Sequence, residues 1–194
     1  MWTLVAGLVL FLGVHSISIV AVHWRDVMAA RLGQIWRGFF ALAALVGLTL
    51  IVSGYAEARA APIVLYSPPL VLRWITVVLM AFVFPLLLAA YLPGRIKAAV
   101  RHPMLTAVKT WAFAHLLANG TLADVLLFGG FLAWAVIERI SLKKRAPRAA
   151  PSLKVRRTND ITAIVGGLIL YALFLHGLHA WLIGVPIVVP GLPS

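Results

Sequence analysis

The fold is decided by residues 103–137, which read PMLTAVKTWAFAHLLANGTLADVLLFGGFLAWAVI. Two apolar runs, residues 103–118 and 122–137, are separated only by Asn119-Gly120-Thr121. Each run is slightly shorter than the roughly 20 residues that a helix needs to cross the hydrocarbon core of a bilayer. The short polar break predicts a tight helical hairpin, and whether this hairpin crosses the membrane twice decides the topology of the whole chain.

Four longer apolar runs surround the hairpin, at residues 2–22, 35–56, 70–92 and 161–183. The chain of 194 residues is 63% hydrophobic, and its mean hydropathy is +1.02. Soluble domains are typically about half apolar, so the excess must face lipid. The composition therefore predicts an all-α integral membrane protein, and we interpret residues 1–194 as one transmembrane domain.

The distribution of the 17 Lys and Arg residues indicates how many helices cross. If all six runs cross, the segments on one side carry 3, 4 and 8 cations, and those on the other side carry 2, 0 and 0. Cytoplasmic segments are enriched in Lys and Arg, so this division predicts six helices in one bundle with both termini outside. The richest segment contains residues 141–158, which we interpret as a basic cytoplasmic loop.

The net charge of +12 has a cause other than nucleic-acid binding. The cations cluster beside apolar runs, where anionic lipid headgroups attract them, so the bilayer is the predicted partner and nucleic acid is not. No basic segment precedes the first apolar run, which is therefore interpreted as a retained span rather than a cleaved leader. The chain has no Cys, which excludes disulfides and thiolate chemistry.

Two histidines, His15 and His115, lie deep inside apolar runs. An imidazole in hydrocarbon is costly unless its nitrogens are used, so each histidine marks a candidate site. The alternative at both positions is a core histidine that bonds a neighbouring backbone carbonyl or Ser. His176 and His179 are predicted to share a helix face. Of these two, His176 is a weaker candidate ligand, and His179 is predicted to lie near the outer surface.

Haem iron is the metal partner that these residues favour. Two imidazoles from different helices can hold the iron axially, with His176 as the substitute if His15 and His115 lie too far apart in depth. Ala112, three residues before His115, leaves space beside the ring for a flat macrocycle, and Trp111 lies on the same face. The haem propionates need cations, for which the cytoplasmic candidates are Arg37, Arg101 and Lys109.

The five carboxylates all lie near the ends of apolar runs, at Asp26, Glu57, Asp124, Glu138 and Asp160. No two of them pair deep in the membrane, so proton relays and acid–base hydrolysis have little support. A transporter typically has broken helices or paired charges at mid-membrane, and Pro85 is the only such break. Thr121 and Asp124 predict a capping box, and Asn159-Asp160 predict a cap for the last helix.

Several motifs, in order along the whole chain, resemble those of the NnrU family. They are LFLGVHS at 10–16, IWRGFFAL at 35–42, YLPGRI at 91–96, RHPM at 101–104, KTWAFAHLLANG at 109–120 and LHAWLIGVP at 178–186. The resemblance implies a protein of the bacterial inner membrane that is associated with denitrification and nitric oxide metabolism. It also implies denitrification membrane proteins as partners.

The chain is also similar, more remotely, to the plant zeta-carotene isomerases. That resemblance implies a haem b enzyme whose two histidine ligands correspond to His15 and His115. The isomerases carry a Cys, implicated in redox-dependent ligand exchange, where this chain has Ala112. Two functions stay open: a haem protein that isomerises a hydrophobic polyene lipid or serves nitric oxide metabolism, and a cofactor-free assembly or regulatory partner of nitric oxide reductase.

Overall fold

A computed structural model describes residues 1–145 and 155–187. These residues are almost entirely helical, with one isolated antiparallel bridge between Val64 and Thr121. The prediction of an all-α chain is confirmed. In chain order the helices are α1 (Trp2–Val20), α2 (Val22–Leu32), α3 (Gln34–Ala60), α4 (Leu70–Tyr91), α5 (Arg95–Val100), α6 (Pro103–Ala118), α7 (Leu122–Lys144), α8 (Arg157–Leu173), a π-helical turn (Phe174–Leu178) and α9 (His179–Ile183).

Five helices of the described residues are long and apolar enough to cross a membrane. They are α1, α3, α4, α7 and the continuous helix Arg157–Ile183, which joins α8, the π turn and α9. This confirms the prediction of an integral membrane protein. Helix α6 has the predicted bounds, but its 16 residues leave it outside the five. The six crossings, the outer termini and the membrane-spanning hairpin therefore stay predictions.

Helix α7 is longer than the apolar run that predicted it. It continues to Lys144 and has 23 residues, because Glu138 and the residues after it favour helix and Lys143 and Lys144 complement its C-terminal dipole. The predicted loop at 141–158 is correspondingly shorter, since its first four residues belong to α7 and its last two to α8. Residues 146–154 of that loop lie outside the described residues.

The chain divides into two compact units. Unit 1 comprises residues 1–66 and 120–145 of the described chain, with α1, α2, α3 and α7. Unit 2 comprises residues 67–119 and 155–187, with α4, α5, α6, α8, the π turn and α9. The interpretation of residues 1–194 as one domain stays a prediction.

Glycines bring α1 and α3 of unit 1 into backbone contact. A Cβ atom on Gly7 would lie 2.6 Å from the backbone nitrogen of Ile51, and one on Gly54 would overlap the backbone of Leu4. Leu4 is completely buried. Small residues allow such close approach between membrane helices, where dispersion contacts provide much of the association energy. The glycines of α1 and α3 therefore determine how closely this pair packs.

Helix α7 begins at a capping box, as the sequence predicted. The Thr121 hydroxyl accepts a hydrogen bond from the Asp124 backbone N–H, and the Asp124 carboxylate accepts one from the Thr121 backbone N–H at 2.9 Å. The Tyr55 hydroxyl donates to the same carboxylate at 2.6 Å, which ties α3 to the start of α7. Partial burial, and secondarily the Asp124 carboxylate, raise the pKa of Tyr66 in the preceding loop.

The C-terminal end of α7 is held by Arg145, which the sequence assigned to the basic loop. Its guanidinium pairs with the Glu138 carboxylate at 2.6 Å and also donates to the Ser18 carbonyl in α1. Both charged side chains of this pair are largely buried. Arg145 therefore connects the C-terminal ends of α1 and α7 within unit 1. Removing one partner of a buried pair leaves the other charge uncompensated.

The core of unit 2 is the contact of α4 with α6 and α8. A Cβ atom on Gly167 would overlap the backbone of Pro85, which confirms that the Gly166-Gly167 pair allows close helix contact. The Thr76 hydroxyl donates to the Ala114 carbonyl at 2.8 Å, and the Tyr171 hydroxyl donates to the Val77 carbonyl at 2.6 Å. Side-chain hydrogen bonds therefore join α4 to both of its neighbours.

The predicted capping of the last helix by Asn159-Asp160 is wrong. The N-cap residue of α8 is Arg156, and it makes no side-chain cap bond. The Asp160 carboxylate instead accepts hydrogen bonds from the backbone N–H groups of Arg95 at 2.9 Å and Ile96 at 3.0 Å. It therefore caps α5, a helix distant in sequence. Local spacing suggested a local cap because the tertiary contact that redirects Asp160 leaves no local pattern.

Substitution Gly54→Ala tests the close contact in unit 1. The added methyl group overlaps the Leu4 backbone, and overpacking of this kind costs about 1–3 kcal/mol. We expect a lower midpoint of thermal unfolding in detergent. The matched control is Gly13→Ala, because nothing lies within 4 Å of a Cβ atom at Gly13. Equal effects of the two substitutions would contradict the proposed contact.

Candidate functional site

The predicted site residues divide between the two units. His15 and Arg37 belong to unit 1, and the remaining predicted residues belong to unit 2, namely Arg101, Lys109, Trp111, Ala112, His115 and His176. Each unit is compact by itself. The pairing of His15 with His115 at one iron stays a prediction.

His15 lies on α1 inside a cluster of aromatic rings. Its ring stacks on Phe11 with centroids 4.3 Å apart, and it meets Phe40 at 5.1 Å and Trp134 at 5.9 Å edge-on. Its Nδ1 atom lies 2.7 Å from the Phe11 carbonyl oxygen. A carbonyl only accepts, so Nδ1 carries the proton and Nε2 presents a lone pair in the neutral ring. In the described part of the chain, no residue bonds His15 Nε2.

The aromatic cluster around His15 contains a buried donor without an acceptor. Trp134 Nε1 is buried and has no hydrogen-bond partner among the described residues. A buried unsatisfied N–H group costs about 1–3 kcal/mol. An acceptor group placed beside His15 would remove that cost. The surroundings of His15 are therefore aromatic and apolar, with one unsatisfied hydrogen-bond donor.

His115 lies on α6 with the same backbone arrangement as His15. Its Nδ1 atom donates to the Trp111 carbonyl at 2.9 Å, and its ring lies 5.4 Å from the Trp111 ring. The Asn119 amide donates to the His115 carbonyl at 2.9 Å. The Nδ1 bond again assigns the lone pair of the neutral imidazole to Nε2. Ala112 is completely buried, so no open space lies over its methyl group.

A cavity of about 300 Å³ lies entirely within unit 2, where α4 begins and α6 ends, and we call it the unit 2 cavity. His115 lines it. So do residues that the sequence analysis did not select: Arg73, Thr76, Asn119, Tyr171 and His179. Arg73 and Arg59 are the two cations counted on the outer side in the sequence analysis, and no local motif distinguishes one from the other. The cavity is defined by tertiary contacts of helices that are distant in sequence.

The prediction that His176 and His179 share a face fails at the π turn. Gly177 lies between them with φ 134°, a positive value that interrupts the helical register. His176 is exposed, whereas His179 is half-buried and lines the unit 2 cavity. The Nδ1 atom of His179 lies 2.7 Å from the Val185 carbonyl oxygen. His179 is therefore the histidine of this helix that reaches the cavity.

Of the three cations selected for the haem propionates, two lie in helices and the third directly follows one. Arg37 is exposed near the start of α3 and bonds Gln34 at 3.4 Å. Arg101 is exposed and follows α5 with φ 63°, and Lys109 is half-buried on α6. Across residues 1–145 and 155–187, no three His, Asp or Glu side chains converge as a metal site.

Comparison with known proteins identifies one family. No curated protein and no solved structure matches the chain significantly. The family model described as NnrU protein matches residues 3–187. That match covers nearly all of the sequence, in agreement with the motifs at 10–16, 109–120 and 178–186. The chain therefore belongs to the NnrU family.

Proposed function

We propose that this chain is a haem b protein of the bacterial inner membrane, with His15 and His115 as axial ligands of the iron. One observation supports the proposal most directly. In both residues Nδ1 donates to the carbonyl four residues earlier, at 2.7 Å in His15 and 2.9 Å in His115. Ligating histidines almost always donate their second nitrogen to such an acceptor, which orients the ring and fixes Nε2 as the ligand atom.

The surroundings of His15 suit a flat apolar macrocycle. Phe11, Phe40 and Trp134 place three aromatic rings around the imidazole, and the unsatisfied Trp134 N–H offers a donor. The propionates would be neutralised by Arg37, Arg101 and Lys109. Trp111 would lie beside the His115 imidazole, whereas the buried Ala112 leaves no open space for the macrocycle. A core histidine would also bond its own helix, but it gives no role to the Nε2 lone pair of His15.

When bound, haem iron supplies electron transfer if both imidazoles stay, and it supplies gas binding or redox-linked isomerisation if one imidazole leaves. The protein's own contribution is to orient the two rings and to exclude water from them. Ala112 has no ligand atom, so the thiol-dependent ligand exchange implied for the isomerases is not expected. We therefore favour an accessory role in nitric oxide metabolism over isomerisation of a hydrophobic polyene, with denitrification membrane proteins as partners.

An absorption spectrum of the purified protein tests this function. Protein produced with sufficient haem should show a Soret band, and His15→Ala and His115→Ala should each reduce the absorbance per protein about tenfold or more. Loss of the group that hydrogen-bonds a metal-ligating histidine typically costs about 10–100-fold in affinity, and loss of the histidine itself should cost at least as much. His23→Ala is the matched control, since His23 lies on the polar helix α2 and should leave the band unchanged. A colourless wild-type protein would reject haem and favour the cofactor-free partner of nitric oxide reductase.

We also propose that the chain crosses the membrane six times, with both termini and residues 119–121 outside. The support is the division of cations, with 3, 4 and 8 on one side against 2, 0 and 0 on the other. A membrane hairpin of α6 and α7 follows from this division. Helix α6 can be short because the Asn119-Gly120-Thr121 turn returns the chain at once and tilt or bilayer thinning absorbs the mismatch.

The absence of native Cys makes this topology easy to test with single cysteines. Ala98 precedes α6, Lys143 lies near the end of α7, and both are exposed. Each is replaced by Cys in turn, as Ala98→Cys and Lys143→Cys. An impermeant maleimide applied to spheroplasts should label neither, whereas Ser67→Cys in the outer loop should react. After lysis all three should react. Opposite labelling of Ala98→Cys and Lys143→Cys would show that α6 does not cross.

A further inference from the structure

The unit 2 cavity has an apolar interior and one permanent cation in its wall. Its apolar lining includes Met80, Phe84, Phe174 and Pro186, and Arg73 is the one Lys or Arg among the described residues that line it. Arg73 is half-buried in the first turn of α4. A guanidinium held against apolar walls loses part of its hydration, and pairing with an anion compensates for that loss.

No described residue supplies that anion. Arg73 has no hydrogen bond and no ion pair with any residue in 1–145 or 155–187. The other cation that the topology assigns to the outside, Arg59, lies over the Tyr55 ring at 5.9 Å. Arg59 and Arg73 therefore differ in their contacts, although each counts as one cation on the same side. Arg73 remains available to a ligand.

Most other polar groups of the cavity are occupied by backbone partners. The hydroxyls of Thr76 and Tyr171 donate to carbonyls at 2.8 and 2.6 Å, and Nδ1 of His179 bonds the Val185 carbonyl at 2.7 Å. These bonds hold the walls in place. They leave Arg73 as the strongest donor for a ligand, and the second N–H of the Asn119 amide, which also lines the cavity, as a weaker one.

The size of the cavity limits how much of a ligand it can enclose. Its volume of about 300 Å³ is at the lower end of ligand pockets. It equals about ten water molecules at roughly 30 Å³ each, and therefore admits about ten non-hydrogen atoms. Octanoate has this size, with a carboxylate that Arg can bind in a bidentate manner and an alkyl chain that matches the walls.

We propose that the unit 2 cavity binds a small amphipathic anion, with its acidic head on Arg73 and its apolar body against Met80, Phe84 and Phe174. This site goes beyond the haem function. It shares His115 with the proposed haem site, but the binding of the anion depends on Arg73. The anion has two possible sources, a free carboxylic acid or the headgroup of an acidic lipid whose chains extend outside the cavity. Both share the chemistry that Arg73 recognises.

Binding of radiolabelled octanoate to the full chain in phosphatidylcholine nanodiscs tests the proposal, with empty nanodiscs as the blank. The neutral analogue octanol should bind wild-type protein more weakly. Arg73→Gln should weaken octanoate binding about tenfold or more, because hydrogen bonds to charged groups are the strong ones, and should leave octanol binding unchanged. Arg73→Lys should retain part of the affinity. Arg59→Gln, which removes the other outside cation, should bind octanoate as the wild type does.

A second variant keeps the test decisive if Arg73→Gln does not fold. Ala118 lines the cavity, so Ala118→Leu should reduce the binding of both octanoate and octanol by filling space. Equal binding of octanoate and octanol to the wild type would overturn the proposal, as would equal effects of Arg59→Gln and Arg73→Gln. Haem content is measured alongside, because haem loss in Arg73→Gln would make this residue a propionate partner instead.

Phosphatidylglycerol in the nanodiscs identifies the source of the anion. If it competes with octanoate for the wild type, the natural ligand is an acidic lipid. If octanoate binding is unaffected, the ligand is a free acid. In either case Arg73 must account for the preference for the anion over octanol, and a preference that survives Arg73→Gln would contradict the assignment.

Discussion

The structure depends on one constraint: polar groups inside apolar helices must find their partners within the chain. Water is absent from the bilayer core, and each unsatisfied group there costs several kcal/mol. The short side chains Thr49, Ser53 and Thr162 therefore donate to carbonyls of their own helix four residues earlier. His15 and His115 follow the same rule through Nδ1. The hydrogen bond occupies Nδ1 of each ring, so the lone pair of the neutral imidazole lies on Nε2, which is the atom that can bind a ligand.

The same constraint explains why close backbone contacts and hydrogen bonds between helices replace a large buried core. In unit 1 the glycines of α1 and α3 allow direct backbone contact, and Tyr55 connects α3 to the capping box of α7. In unit 2 Gly167 packs on the backbone at Pro85, and Thr76 connects α4 to α6. Each unit is thus joined at a few specific positions, which hold the candidate histidines within rigid helices.

Features set by neighbouring residues could be predicted from the sequence. Pro103 and Asn119-Gly120 gave the bounds of α6, and Thr121 with Asp124 gave the capping box, because both signals act within one helical turn. Features set by distant contacts could not be predicted. Asp160 caps α5 rather than its own helix, and Arg145 leaves the loop to pair with Glu138.

The candidate site follows the same division. The apolar runs around His15 and His115 identified both residues, and their roles stay predictions because ligation depends on a group outside the sequence. His179 was ranked below His176 because it was predicted to lie near the outer surface. Nothing local shows that Gly177 takes φ 134° and separates the two histidines. Arg73 was missed because its lack of a partner is a property of the folded unit 2.

The carboxylates already have structural partners, which explains why both proposals rely on imidazoles and a guanidinium. Glu57 accepts from Thr3 at 2.8 Å, and Asp26 pairs with Arg25. The other three carboxylates cap helices or neutralise Arg145, as described above. Every carboxylate of the chain therefore has a structural partner, and drawing one into proton transfer would cost a cap or an ion pair. Nε2 of His15 and the guanidinium of Arg73 bond no described residue, so binding an external group at either of them leaves the helix contacts intact.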